Sequence, residues 1–448
     1  MHDGTKKVNM SATFSTGQTS RRPSERASGN SPLMRFLFAG GLVFLFPAFI
    51  YQLAVNHISG DFTGSRILQA ANLACSIYAI VMIATSRQPT EIAKWSRPLI
   101  ILVGLAFVSA AWSFRTAATL QASMVLLSTT LFGAAMATRL SPVACVQLII
   151  RTMTLGCLMS VIWVVVFPDS GVHQLTDAYQ TVHAGLWRGI FSHKQGLGVF
   201  AGWTTGLLLF YGSICFSILP IRVVALACSI TCLIGTQSAT GILTACVAAA
   251  MLYATYWIAR RPPQMRKSPM IVLIAVLFVV YAAQKFGLLD FIPDLFGKST
   301  DLSGRADFWP YVMDRFKNSG STLLGGGLGS DYAVAMAPGA SVDNGYIDKL
   351  IEFGYVGSAI VFATYGWIVW AGIRLILTSP SALAATTIFP ANVMFALLFI
   401  NISESNFMSK NIGTVLVAVA VCQIGRQQNN TLVRGRAAAG GKVAAIHP

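Results

Sequence analysis

Charge is scarce in this 448-residue chain. Lys, Arg, Asp and Glu together make up 11% of it, against 54% for hydrophobic residues. A soluble globular domain carries roughly a quarter charged residues. Less than half of that, with repeated apolar runs of about 20 residues, excludes an ordinary soluble enzyme and predicts a polytopic membrane protein. Acid is scarcer still: 16 carboxylates face 32 Lys and Arg, for a net charge of +16. In a soluble protein that excess would suggest a nucleic acid. In a membrane protein it fits cytoplasmic loops and anionic lipid or substrate, and no nucleic-acid partner is expected.

Other absences narrow the function. The eight cysteines, Cys75, Cys145, Cys157, Cys215, Cys228, Cys232, Cys246 and Cys422, all fall in apolar runs. They read as packing residues, so the long loops must hold their shape without disulfides. No cluster with metal-ligand spacing occurs, and neither metal nor cofactor is expected. No GK[ST] follows the glycines of "LLGGGLGS" (323–330), so that stretch reads as a tight turn with close backbone packing rather than a phosphate loop. The first residues lack the apolar core of a signal peptide. No carboxylate sits mid-span, and no internal repeat relates the two halves, which argues against an ion-coupled transporter.

What is present is a series of twelve apolar spans: 33–55, 67–85, 98–113, 119–138, 142–167, 196–214, 221–237, 239–259, 269–285, 350–377, 383–402 and 411–425. Each must be a helix, because an open strand leaves its backbone unsatisfied in lipid. The expected fold is an all-α polytopic membrane protein of about 12 transmembrane helices, with a large periplasmic loop containing short amphipathic helices. The basic cluster "ARRPPQMRK" (259–267) marks a cytoplasmic loop. With both termini also inside, 20 of the 32 basic residues lie on that side. Two long loops, 168–195 and 286–349, then lie outside. Residues 1–32 and 426–448 read as loose cytoplasmic tails.

Candidate residues gather in the outside loops. From Asp307 the pattern turns helical, with Phe308, Val312 and Phe316 on one side and Pro310 in the first turn. It predicts an amphipathic helix lying on the membrane surface. Arg305 stands at its entry, where a guanidinium and free backbone N–H groups together suit a phosphate. "GLWRGIFSHKQGLG" (185–198) places Arg188, His193 and Lys194 within seven residues, against the positive-inside trend, and suggests an anionic ligand. In "SVDNGYIDKLIEFG" (341–354), Asp343 or Asn344 suits a helix N-cap, Tyr346 follows, and Asp348 and Glu352 read as solvated interface charges. Glu404, in "NISESNFMSK" (401–410), lies at a span's outer edge, where it pairs with an outside cation or simply sits in the loop.

Four of these stretches resemble motifs of the O-antigen ligase and Wzy-type polymerase superfamily, in order and at fitting spacing. "RGIFSHKQGLG" (188–198) looks like the "RGxFxHKNxLG" of exopolysaccharide polymerases of the succinoglycan, ExoQ-like type. "STDLSGRADFW" (299–309) looks like "TLTGRTxxW", "DNGYIDKLIEFGYVG" (343–357) like "HNGYLxLxxELGxxG", and "ISES" (402–405) like "TES". The likeness covers about residues 100–425. It departs from the family at Asp343, where a histidine is usual.

The resemblance implies metal-independent glycosyl transfer at the periplasmic face of a bacterial inner membrane. The donor would be an oligosaccharide on undecaprenyl pyrophosphate, and the acceptor a second lipid-linked unit. Membrane lipid, a chain-length regulator and export proteins would be the partners. Arg305 and Arg188, with Lys194 and His193, would hold the departing pyrophosphate. Asp343, positioned by Asn344 and Tyr346, would act on the acceptor hydroxyl, with Glu404 among the substrate contacts. A ligase moving finished polysaccharide to an acceptor is the alternative within the family. A lipid-linked oligosaccharide flippase is the alternative outside it.

Overall fold

The computed structural model describes residues 31–45, 66–86, 89–177, 183–285, 305–330, 332–336, 342–378, 385–402, 404–408 and 412–444, without the side chains of some residues inside helices, Arg305 among them. Fourteen helices of seven or more residues occur among them. They are α1 Pro32–Leu45, α2 Arg66–Ala84, α3 Pro89–Trp95, α4 Arg97–Val108, α5 Thr116–Arg139, α6 Pro142–Val166 and α7 Lys194–Cys215. Then follow α8 Leu219–Thr236, α9 Ala239–Ala259, α10 Lys267–Lys285, α11 Arg305–Lys317, α12 Gly345–Thr378, α13 Ala385–Ile400 and α14 Ile412–Ala444. All but α3 and α11 overlap one of the twelve apolar runs. Six of them, α5, α6, α7, α8, α9 and α12, are long and apolar enough to cross a membrane among the described residues.

Side-chain exposure agrees with lipid as the solvent. Ile77, Ile100, Val165, Val223, Ile234, Ile271 and Trp367 are all exposed on apolar helices. In water so many exposed large residues on long helices would cost stability, whereas hydrocarbon favours them. Burial between helices is achieved by small residues instead. Gly198, Gly202 and Gly206 recur at every fourth position of α7 and face α9. A Cβ on Gly206 would fall 2.7 Å from that of Ala248, and one on Gly202 3.0 Å from that of Thr244. This is the small-residue seam by which helices approach closely when hydrophobic burial no longer discriminates between partners. The carbonyl left free at the end of α7, on Cys215, accepts from Arg151 Nε and Nη2 at 2.9 and 2.6 Å.

Three sequence expectations change here. The helix α11 does not lie apolar-face-down on a membrane. Val312 and Phe316 are fully buried against Tyr332, Val342 and Ile351, so its apolar stripe packs on the protein's own loop and on α12. Pro310 falls in the second turn of α11, not the first. Residues 426–444 are not loose, since α14 continues to Ala444, and the last four residues of the expected tail lie outside the described residues.

The helix α12 is broken at Gly354, whose φ of 63° and ψ of −171° are not helical. The break releases backbone groups that would otherwise bond along the helix, and the glycine loop supplies their partners. Gly326 N–H donates to Ile351 O at 3.0 Å and Gly327 N–H to Glu352 O at 2.7 Å. In return Tyr355 N–H donates to Thr322 O and Val356 N–H to Leu323 O. Gly325, Gly327 and Gly329 all take positive φ, which lets the loop enter a gap with no room for side chains. The expectation of a tight turn with close backbone packing is met.

Candidate active site

Three segments converge at the start of α12. Asn344 caps that helix: its Oδ1 accepts from Tyr346 N–H at 3.0 Å and Ile347 N–H at 3.1 Å. The sequence left the cap open between Asp343 and Asn344, and Asn344 is the one that takes it. Asp343 is thereby pushed one place ahead of the helix. It adopts a left-handed backbone with φ of 41°, uncommon outside glycine and tolerated best by Asp and Asn. Its side chain is partly exposed.

The neighbours of Asp343 are fixed from several sides. The indole Nε1 of Trp309, on α11, donates to Val342 O at 2.8 Å. Gly345 N–H donates to Asn401 O at 2.8 Å. Asn401 Oδ1 accepts from both Asn406 and Phe407 N–H at 2.8 Å, which closes the loop that carries Glu404. The Tyr346 hydroxyl donates to Leu398 O at 2.8 Å, and its ring meets Phe407. Asn344 and Tyr346 therefore hold the backbone around Asp343, and both are committed to that task.

The first long loop is ordered by an isolated bridge between Val172 and Trp187. Trp187 N–H also donates to Gly235 O at 3.0 Å, tying the loop to α8. Arg188 is turned into its own loop. Nε donates to Ser170 O at 2.8 Å, Nη1 to Asp177 Oδ2 at 3.0 Å and Nη2 to Asp169 O at 3.3 Å. Those bonds engage three of its five N–H donors.

Three histidines from this loop stack edge to face. Ring centroids lie 5.8 Å apart for His173 and His183, 5.3 Å for His173 and His193, and 5.1 Å for His183 and His193. Sequence reasoning singled out His193 alone. The available signal was spacing, since three of the chain's six histidines fall at ten-residue intervals in one loop. Among the described residues no group of three or more His, Cys, Asp and Glu is placed to hold a metal ion.

The rings instead serve the start of α7. Lys194 N–H donates to His173 Nε2 at 3.2 Å, and Gln195 N–H to His193 Nδ1 at 3.2 Å. A nitrogen that accepts a hydrogen bond carries no proton, so both imidazoles are neutral. His173 must then be protonated at Nδ1, which faces Asp177 Oδ2 at 3.2 Å. Burial holds the His193 imidazole down to about 4, and His173, His183 and Lys194 beside it act in the same direction. Asp343 opposes them. Burial likewise lowers His173, with Asp177 working against it. For Asp177 burial pushes upward, but the Gln174 N–H, Arg188 and His173 outweigh it, and the carboxyl is lowered. His193 was expected among the outside cations, and it is not one at neutral pH.

Asp348 and Glu352, expected as solvated charges, are not. Lys349 and Glu352 are buried, and Lys349 Nζ pairs with both Asp348 Oδ2, at 3.1 Å, and Glu352 Oε2. Lys194 is engaged through its backbone as described, and Glu404 is half-buried. The side chain of Arg305 lies outside the described residues, and its backbone begins α11.

Residues 224–363 match the family model of the O-antigen ligases. The likeness to the O-antigen ligase and Wzy-type superfamily is shown over that segment. It runs from α8 into α12 and contains Asp343, Asn344 and Tyr346. The matched segment takes in α9 and parts of α8 and α12, all three long and apolar enough to cross a membrane. Arg188, His193, Lys194 and Glu404 lie outside the matched segment, and the bond from Gly345 N–H to Asn401 O connects its Asp343 end to the loop that carries Glu404. No curated protein matches the chain.

Proposed function

We propose that this protein is an exopolysaccharide polymerase of the bacterial inner membrane, with both termini cytoplasmic. It joins oligosaccharide repeat units carried on undecaprenyl pyrophosphate at the periplasmic face. The observation that carries this reading is the convergence on Asp343. Trp309 of the "SGRADFW" stretch, the Asn344 cap and the Asn401–Phe407 turn all fix the backbone around one partly exposed carboxylate.

The chemistry is a displacement at an anomeric carbon. The acceptor hydroxyl oxygen forms the new C–O bond, the bond from that carbon to the pyrophosphate oxygen breaks, and the lipid pyrophosphate leaves with the electron pair. Asp343 takes the hydroxyl proton, a contribution of roughly 10²–10⁴-fold for a positioned general base. Arg305, at the entry of α11, stabilises the departing anion together with Lys194 and the two N–H donors that Arg188 has left. The donor is already activated by its lipid pyrophosphate, so the reading asks for no nucleotide.

The name of the matched family favours a second reading, a ligase that moves finished polysaccharide onto an acceptor. Sizing lipid-linked and released saccharides in cells that lack the gene, complemented with wild type or Arg305→Ala, separates the readings. A polymerase variant accumulates single repeat units on lipid and loses high-mass polymer. Polymer that is full-length but unattached establishes the ligase, and units retained on the cytoplasmic side establish a flippase.

A further inference from the structure

The turn between α9 and α10, residues 260–267, carries Arg260, Arg261, Arg266 and Lys267, and no Asp or Glu occurs anywhere from residue 178 to residue 289. Cytoplasmic loops favour cations, which accounts for the sign of this charge but not for its arrangement. Arg266 is buried and serves as the anchor. Its Nε donates to Arg261 O at 2.7 Å and its Nη1 to Ile376 O at 2.8 Å, near the end of α12. From Gly354 to Ile376 that helix covers about 33 Å, against roughly 30 Å for a hydrocarbon core. The turn therefore lies at the face of the bundle opposite Asp343.

The rest of the turn is rigid. Pro262 and Pro263 restrict its backbone, Arg261 N–H donates to Ile258 O at 3.1 Å, and Met265 N–H donates to Pro262 O at 2.9 Å. The Arg261 guanidinium stacks on the Trp257 ring, 3.8 Å from its centroid, and that of Arg260 lies 5.8 Å from the Tyr256 centroid. Arg260 and Lys267 are exposed. Among the described residues none of Arg260, Arg261 and Lys267 forms an ion pair. Apolar side chains flank these cations: Trp257, Met265, Ile271 and Val272 are all more than half exposed. Cations beside exposed apolar residues mark the level where headgroups meet acyl chains. A soluble acidic partner would leave the apolar half of this surface uncovered.

We propose that this turn binds the phosphate-bearing headgroup of an anionic phospholipid, with Arg260, Arg261 and Lys267 on the phosphate and Met265 among the first acyl carbons. A guanidinium fork matches phosphate geometry, and stacking on Trp257 has already fixed that of Arg261. This preorganisation separates a site from diffuse attraction to a charged surface. Each cation near an anionic surface contributes about fivefold to affinity. The inference needs only that the chain spans a membrane, and it stands whatever Asp343 does.

The purified full chain in neutral detergent is titrated with phosphatidylglycerol and separately with phosphatidylcholine, and bound lipid is counted by native mass spectrometry. Wild type is expected to prefer phosphatidylglycerol by roughly tenfold or more. Arg260→Gln with Lys267→Gln, both at exposed positions, should reduce that preference by roughly tenfold and melt like wild type in phosphatidylcholine nanodiscs. Arg261→Lys keeps the charge, loses the stacked fork, and should weaken the preference severalfold. Arg315→Gln with Lys317→Gln removes the same charge from exposed positions of α11 and should leave the preference intact. Equal binding of the two lipids by wild type overturns the inference. So does a control pair that loses as much as the turn pair, since charge alone would then decide. Inorganic phosphate that displaces the lipid at millimolar concentration would make the ligand a free phosphate, and that also overturns it.

Discussion

The Glu352 carboxylate, on the second turn of α12, accepts the Gly329 N–H at 2.8 Å through Oε1 while Oε2 pairs with Lys349. One buried side chain thus joins the glycine loop to the helix it enters. Removing one partner of a buried ion pair leaves an uncompensated charge, which costs about 3–5 kcal/mol. Glu352→Ala is expected to melt well below wild type in nanodiscs. Asp348 still faces Lys349 in that variant, so the loss should lie towards the lower end of that range, and Glu352→Gln, which keeps an acceptor for the Gly329 N–H, should lose less than Glu352→Ala. An unchanged melting temperature for Glu352→Ala would contradict the account.

Gly354 provides a second test of the same junction. Its backbone is in a region that costs other residues of order 1–3 kcal/mol. A Cβ there would also collide with the Leu323 carbonyl, part of the loop that satisfies the broken helix. Gly354→Ala should therefore destabilise the protein and lower its yield in membranes. Gly366→Ala, on the same helix with open space around it, should be neutral.

Arg188 braces the first long loop through Ser170, Asp169 and Asp177. Each hydrogen bond to a charged group contributes about 1.5–3 kcal/mol. Arg188→Lys keeps the charge and loses the fork, so it should expose residues 168–193 to protease in otherwise folded protein. If the lysine variant resists protease like wild type, the charge alone holds the loop.

Acid should loosen the same loop. The His193 value lies below its ordinary 6.5, at about 4, so the folded state binds fewer protons than the unfolded one. Its contribution is complete above pH 6.5 and is lost as the pH falls from 6.5 towards 4. His173, also lowered, acts in the same sense. Protease protection of residues 168–193 should decline across that window, and His193→Asn, whose cap does not titrate, should flatten the decline.

The spans were legible because lipid leaves a chain few options. Each apolar run had to be a helix, and each of the twelve overlaps one. The glycine loop was legible for a similar reason, since only close backbone packing explains so many glycines without a phosphate-loop lysine. The helix α11 misled because an apolar stripe has the same period whether membrane or protein covers it. Lys349 and Glu352 misled because charges at three-residue spacing on a loop-proximal turn look solvated until a second loop folds over them. The ten-residue spacing of His173, His183 and His193 matches no helix or strand period, and it is the loop's own pairing, with the bridge between Val172 and Trp187 in it, that gathers the rings.

The central claim is that Asp343 does chemistry, and Asp343→Asn tests it most directly. The substitution is nearly isosteric, keeps a residue that tolerates the left-handed backbone, and leaves the Asn344 cap in place. In cells lacking the wild-type gene, with the variant present in membranes at the wild-type level, the account predicts single repeat units on lipid and a loss of high-mass polymer of 10²-fold or more. Wild-type polymer from Asp343→Asn would contradict it.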